Sequence, residues 1–230
     1  MKPIKIAIDG FAGGGKSTTA KRVAQKLSYT YIDTGAMYRA VTLYFLRNGI
    51  DFEEETEKLR SSLNDIHIEF GLCGDDPIPQ IRLNGEWVEP AIRSREVSDA
   101  VSPVAVHASV RHALVAQQQR MGAQGGVVMD GRDIGTVVFP DAELKIFIHA
   151  DLKVRAIRRQ QEMEARGQFL PLEDIISNLK KRDRIDSTRA IAPLKKAQDA
   201  IEIDTTYMTI DQQVEEVCRL ARETLQTPLT

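Results

Sequence analysis

The chain opens on a run in which almost every position is apolar, Ile4-Lys5-Ile6-Ala7-Ile8-Asp9. A strand covered on both faces reads this way, as in a parallel sheet. A glycine-rich stretch follows, and then Ala20, Val23, Ala24 and Leu27 recur at helical spacing within a helix predicted over Ser17 to Leu27. The same alternation of short apolar runs and helical periods continues along the chain. Strands are predicted at Tyr29 to Asp33, Gly126 to Asp130, Leu144 to Ile148 and Ala200 to Asp204. Helices are predicted at Ala36 to Leu46, Leu152 to Ala165, Leu172 to Arg184 and Ile210 to Leu225. Strands alternating with helices give an α/β fold built on a mostly parallel sheet.

One stretch breaks this rhythm. Ile66-His67-Ile68-Glu69-Phe70 alternates, and Ile81-Arg82-Leu83 runs into Asn84-Gly85, a strong hairpin turn, before Trp87-Val88. A small antiparallel insertion is expected at about 62–95, with Trp87 packing rather than offering a base-stacking platform.

Composition narrows the class. The chain has 230 residues, 42% hydrophobic and 28% charged, as expected of an ordinary globular protein and not of a disordered or collagen-like one. No apolar run is long enough to span a membrane. The N-terminus reaches Asp9 too soon for a signal peptide, so a cytoplasmic protein is expected. Cys73 and Cys218 are isolated and read as ordinary reduced thiols. His67, His107, His112 and His149 lack metal-ligand spacing. The formal net charge of −2 gives no reason to expect a nucleic-acid polymer as partner. Charge is uneven, however. Lys145 to Arg189 holds 11 basic against 7 acidic residues, leaving 20 basic and 26 acidic elsewhere. That balance suits a small anionic ligand, and equally a solvated helix face with paired charges.

The glycine-rich stretch decides more. Gly10-Phe11-Ala12-Gly13-Gly14-Gly15-Lys16-Ser17 fits G-x-x-x-x-G-K-[ST], between a predicted strand and a predicted helix. Glycines let the backbone N–H groups line a concave nest for phosphate, and the helix N-terminus adds positive potential. Lys16 then reaches the β- and γ-phosphates and Ser17 ligates Mg²⁺. A nucleoside triphosphate is therefore expected here.

The rest of the chain lacks the Asn-Lys-x-Asp that reads guanine and instead places arginines near element ends. Thr34 stands where it could cap the second helix, and Arg39 lies about one turn into it. Asp130, at a strand end, is placed to hold a Mg²⁺-bound water. Arg182 and Arg189 are seven apart and would share a helix face if the helix persists. Small-acceptor kinases, such as those acting on UMP or shikimate, and an ATP-binding regulatory module all remain open on these residues.

Three longer motifs are more specific. Asp33-Thr34-Gly35-Ala36-Met37-Tyr38-Arg39, the run from Asp130-Gly131-Arg132-Asp133 to Pro140-Asp141-Ala142, and Asp186-Ser187-Thr188-Arg189-Ala190 followed by Ala192-Pro193-Leu194 resemble bacterial cytidylate kinases, in order and spacing, over essentially the whole chain. The resemblance implies a P-loop nucleoside monophosphate kinase fold, with a five-stranded, mostly parallel sheet flanked by helices. It implies one domain over 1–230, with a core at about 1–61 and 96–230. The insertion at about 62–95 would be the small antiparallel extension of the long bacterial form, and about 155–171 a short Arg-rich lid.

The implied reaction is ATP-dependent phosphorylation of CMP and dCMP in pyrimidine nucleotide metabolism, with Mg²⁺, in a protein expected to be monomeric. The resemblance places Gly10 to Thr18 with Arg155, Arg158 and Arg159 on ATP. It places Thr34, Arg39, Arg132 and Arg189 on the acceptor phosphate, and Ser102, Arg111 and Asp133 on cytosine. Arg182 and Asp186 lie near the ribose hydroxyls and the phosphate. Lys16, Arg132, Arg182 and Arg189 are the implied catalytic residues, with Ser17 direct and Asp130 through water on the metal. Without the resemblance, Ser102 and Arg111 would read as solvated helix surface. Phe11 stands where members of that family commonly have Pro, which bears on the stiffness of the loop. Thr34 stands where some have Ser, which keeps the hydroxyl.

Overall fold

A computed structural model describes residues 3–74 and 79–226. Met1 and Lys2 of the N-terminal reading, and 75–78 of the expected insertion, lie outside the described residues. In chain order the elements are β1 (Lys5–Gly10), α1 (Lys16–Leu27), β2 (Thr30–Asp33), α2 (Thr34–Arg47), α3 (Glu57–Ser62), β3 (Ile68–Gly71), β4 (Gln80–Leu83), β5 (Glu86–Trp87), α4 (Arg95–Val104), α5 (Ala108–Met121), β6 (Val127–Gly131), β7 (Leu144–His149), α6 (Leu152–Glu164), α7 (Leu172–Thr188), β8 (Ile201–Asp204) and α8 (Ile210–Gln226). A five-residue π-turn, Ile134–Val138, follows β6. The chain divides into two compact units, Met1–Ile32 with Met121–Thr230, and Asp33–Arg120.

The first unit is built on a five-stranded sheet of order β2-β6-β1-β7-β8. β1 pairs in parallel with β6 on one side and β7 on the other, and β7 pairs in parallel with β8. The apolar run of β1 is covered on both faces, with Ile6, Ala7 and Ile8 fully buried. Each such isoleucine contributes about 1.5–3 kcal/mol of burial. Val23 and Ala24 of α1 and Val214, Val217 and Ala221 of α8 join Ile6, Ile8, Ile146, Ile148 and Ile203 in one core cluster. A second cluster joins α6 and α7 through Ala156, Met163, Ile175 and Leu179, with Ala12 of the glycine-rich loop. Strand order reverses at β1, so the loop leaving its carboxyl end occupies the switch point where α/β sheets bind ligands.

The second unit carries α2 to α5 and a three-stranded sheet of order β3-β4-β5. Its strands are antiparallel, with Ile68 opposite Leu83 and Arg82 opposite Trp87. Asn84 and Gly85 take φ of 49° and 84°, the left-handed pair that a two-residue hairpin turn needs. The Arg82 guanidinium lies 4.7 Å from the Trp87 ring centroid, so the tryptophan packs within its own sheet.

Two local expectations are corrected. Asp33, not Thr34, caps α2: its side chain accepts from the Ala36 N–H at 2.8 Å, and Thr34 is the first helical residue. A carboxylate three residues before that N–H reaches it well, and it also favours the positive helix end. The helix predicted over Leu172 to Arg184 runs on to Thr188, but Arg189 is extended at ψ 144°. Arg182 and Arg189 therefore do not share a helix face.

Candidate active site

The loop between β1 and α1 is shaped by what its backbone must avoid. Gly10 has φ 146°, and a Cβ there would lie 1.9 Å from the Ile148 carbonyl oxygen of the neighbouring strand. Gly15 caps α1 at φ 89°, a conformation open to glycine and costly to others. Lys16 begins the helix, is buried, and donates from Nζ to the Phe11 carbonyl at 2.5 Å. Burial, and then the nearby Arg132, push its pKa down to about 7 against the pull of Asp130 and Asp9.

Both oxygens of Asp130 are engaged. Ser17 Oγ donates to Oδ2 and the Tyr31 hydroxyl to Oδ1, each at 2.8 Å. A hydroxyl and a carboxylate side by side at a helix N-terminus form a hard oxygen donor set of the kind Mg²⁺ takes, so the residues fit that ion. Asp9, at the end of β1, accepts from the N–H groups of Ile134 and Gly135, both at 2.8 Å. Its burial raises its pKa to about 6, and these two bonds work against that rise. Asp9 thereby fixes the π-turn beyond β6. Sequence reasoning took Asp9 only as a strand end, and nothing in the linear pattern links it to residue 134.

A cationic cluster surrounds this loop within the first unit. Arg132 Nε donates to Asp186 Oδ2 at 2.9 Å. Arg189 lies 3.7 Å from Asp133 and 3.9 Å from Asp186, and its Nε donates to the Ala192 carbonyl at 2.8 Å. Burial alone would raise the Asp186 carboxyl, but Arg132, Arg182 and Arg189 together hold it below the usual carboxylate range. Burial and then Arg132 lower Arg182 to about 10, with Arg159 adding to the effect. Among the described residues, the buried Nε of Arg182 has no hydrogen-bond partner. Arg132 packed closely enough to depress both Lys16 and Arg182, with an unmet donor on Arg182, makes a site complementary to a polyanion.

The three arginines expected to close over ATP are placed differently from one another. Arg155 is buried and donates to the carbonyls of Ala150 and Ala12 and to Asp183. Arg158 donates to the Thr205 and Met208 carbonyls after β8, at 2.6 and 3.2 Å. Arg159 pairs with Glu162 at 3.2 Å and is near enough to Arg182 to act on it electrostatically.

In the second unit, Thr34, Arg39, Ser102 and Arg111 are all buried. Arg39 donates from one nitrogen to the Ile92 carbonyl and to Ser98 Oγ, each at 3.0 Å. Arg111 is 1% exposed, lies 5.4 Å from the Tyr38 ring centroid, and donates to the Ala105 carbonyl at 3.1 Å. The solvated surface read for Ser102 and Arg111 from helix pattern alone is thus incorrect, because α4 and α5 turn these polar positions inward. Arg93, which sequence reasoning missed, bridges Asp33 and Glu89 at 2.8 Å each. Its only linear signal is the run of charged and small residues from Arg93 to Glu96.

Comparison with known proteins identifies the family. The family model described as cytidylate kinase matches residues 6–223. A cytidylate kinase of Parabacteroides distasonis is 55% identical over 93% of this chain and 94% of its own length. One from Anoxybacillus flavithermus is 50% identical over 98% of this chain and 99% of its own. The solved structure of an uncharacterized protein from Eubacterium ventriosum shares the fold at TM-score 0.50 and 14% identity, covering 96% of this chain and 99% of that one. A match from residue 6 to 223, with relatives at least half identical along nearly their whole lengths, places this chain in the cytidylate kinase family.

Proposed function

We propose that the protein transfers the γ-phosphoryl group of ATP to CMP and dCMP, yielding ADP with CDP or dCDP. The observation that carries this reading is the polyanion-shaped cluster of Lys16, Arg132, Arg182 and Arg189 beside the Ser17–Asp130 pair, in a chain of this family. An oxygen of the acceptor phosphate attacks the γ-phosphorus, and the bond from that phosphorus to the β,γ-bridging oxygen breaks. The attacking oxygen is already ionised at neutral pH, so no general base is needed. The work left to the protein is alignment and neutralisation of charge.

Residue roles follow the resemblance to the cytidylate kinase family, supported by the chemistry of each side chain. Backbone N–H groups from Gly10 to Thr18 cradle the ATP phosphates, and Lys16 neutralises charge at the transferring group. Arg132, Arg182 and Arg189 hold the acceptor and transferring phosphates, with Asp186 keeping the arginines in place. Thr34 and Arg39 hold the acceptor phosphate, and Ser102, Arg111 and Asp133 read cytosine. Ser17 would hold Mg²⁺ directly and Asp130 through water. Mg²⁺ when bound neutralises charge on the β- and γ-phosphates. Arg159 serves ATP beside Arg182. A monomer acting in the cytoplasm completes the reading. Among the described residues no helix is long and apolar enough to cross a membrane.

The test is product identity. With ATP, Mg²⁺ and CMP, chromatography resolves CDP appearing in step with ADP. ADP formed without CDP would refute the reading.

A further inference from the structure

Phe11 is the one aromatic side chain in the phosphate loop, and its surroundings are specific. Its ring meets Phe147 edge-on, with centroids 6.1 Å apart at 85°. The Arg155 guanidinium carbon lies 5.2 Å from the centroid of the Phe11 ring. That guanidinium is tied from several sides. Nε donates to the Ala150 carbonyl at 3.0 Å. One terminal nitrogen donates to the Ala12 carbonyl at 3.1 Å and to Asp183 at 2.8 Å. Ala12 lies within the loop, and Asp183 stands on α7 next to Arg182. The backbone closes in as well, because a Cβ at Gly13 would lie 2.9 Å from the Arg155 carbonyl oxygen.

We infer that Phe11 and Arg155 form a latch that fixes the shape of the phosphate loop and ties it to α7. Both are then positioning residues for the ATP phosphates. The inference rests on the reading that ATP occupies this loop, and it adds to the role expected of Arg155. Three of the guanidinium's five N–H groups already serve protein acceptors. A buried cation over an aromatic face is held in orientation by that face, and it holds the ring in return. Phe11 has no polar side-chain atom and so offers phosphate neither a hydrogen bond nor a charge, and the contacts it makes are with Phe147 and Arg155.

The test titrates ATP calorimetrically into the full chain and its variants, with no acceptor present. Phe11→Leu keeps bulk and removes the ring face, and is expected to weaken ATP binding about tenfold. Arg155→Gln is expected to weaken it to a similar degree. The double variant should bind no worse than the weaker single one, because either change opens the same latch. Phe11→Tyr should recover most of the affinity lost in Phe11→Leu. Penalties that multiply to about a hundredfold in the double variant would show that the two residues act independently and overturn the latch alone. Phe11→Leu that binds ATP as the wild type does would also overturn it. A wild-type chain that does not bind ATP would overturn the functional reading, and the latch with it.

Discussion

At the scale of the residue, Lys16 has the sharpest consequence. Its ammonium is buried beside Arg132, and its pKa stands at about 7 instead of 10.5. A bound polyphosphate favours the charged form and raises that value. Binding above pH 7 must therefore take up a proton, and ATP affinity should fall as pH rises. The slope approaches about tenfold per unit between roughly pH 7 and pH 9. Titrations in two buffers of different ionisation enthalpy would report the proton uptake. Affinity independent of pH over that range would contradict the placement of Lys16. Folding follows the same logic. The folded chain holds fewer protons on Lys16 than the unfolded chain does between pH 7 and 10.5, so this residue makes stability rise with pH in that window. Ser102 and Arg111 carry a different prediction. Substituting Ser102→Ala or Arg111→Met should lower the ratio of kcat/KM for CMP to that for UMP by at least about tenfold, since a reader of polar base edges loses discrimination with its donor. An unchanged ratio would remove them from cytosine reading. Neither residue's burial was legible from helical spacing, which places them on helices and leaves open which face is covered.

At the scale of the element, strands and helices were legible because the core is ordinary. Runs such as Ile4 to Ile8 and Leu144 to Ile148 are buried on both faces, so nearly every position had to be apolar. Element ends were less legible, because they depend on side chains reaching backbone groups. Asp33 outcompetes Thr34 for the cap, and α7 ends one residue short of Arg189. The π-turn after β6 left no local signal at all, since it is held by Asp9 from another strand. The phosphate loop was the most legible feature, because its glycines answer to close contacts. Gly10→Ala would drive a Cβ against the Ile148 carbonyl, so β1 and β7 must part. A loss of about 2–4 kcal/mol, seen as a fall in Tm of about 5–12 °C, is expected. A Tm within about 1 °C of wild type would show that strand pairing there is looser than described.

At the scale of the whole molecule, the sequence conveyed chemistry better than organisation. The hairpin at Asn84-Gly85 marked the three-stranded sheet, yet the second compact unit runs from Asp33 to Arg120 and takes in four helices as well. Nothing in local pattern separates those helices from the ones that flank the main sheet. Net charge is nearly balanced, and of the basic residues from Lys145 to Arg189, Arg155 and Arg182 lie at the phosphate loop while Lys153, Arg166, Lys180, Lys181 and Arg184 are exposed. Sedimentation equilibrium should give a mass near 25.7 kDa, and twice that mass would contradict the monomer.

The central claim is acceptor identity, and one measurement meets it directly. ADP release from ATP and Mg²⁺ would be followed with CMP, dCMP, UMP, AMP, GMP and shikimate, each offered separately. Rapid turnover with CMP and dCMP, and much slower turnover with UMP and the rest, is the predicted result. Equal turnover with UMP would contradict the cytosine readers, and turnover with shikimate alone, or with no acceptor, would contradict the function itself.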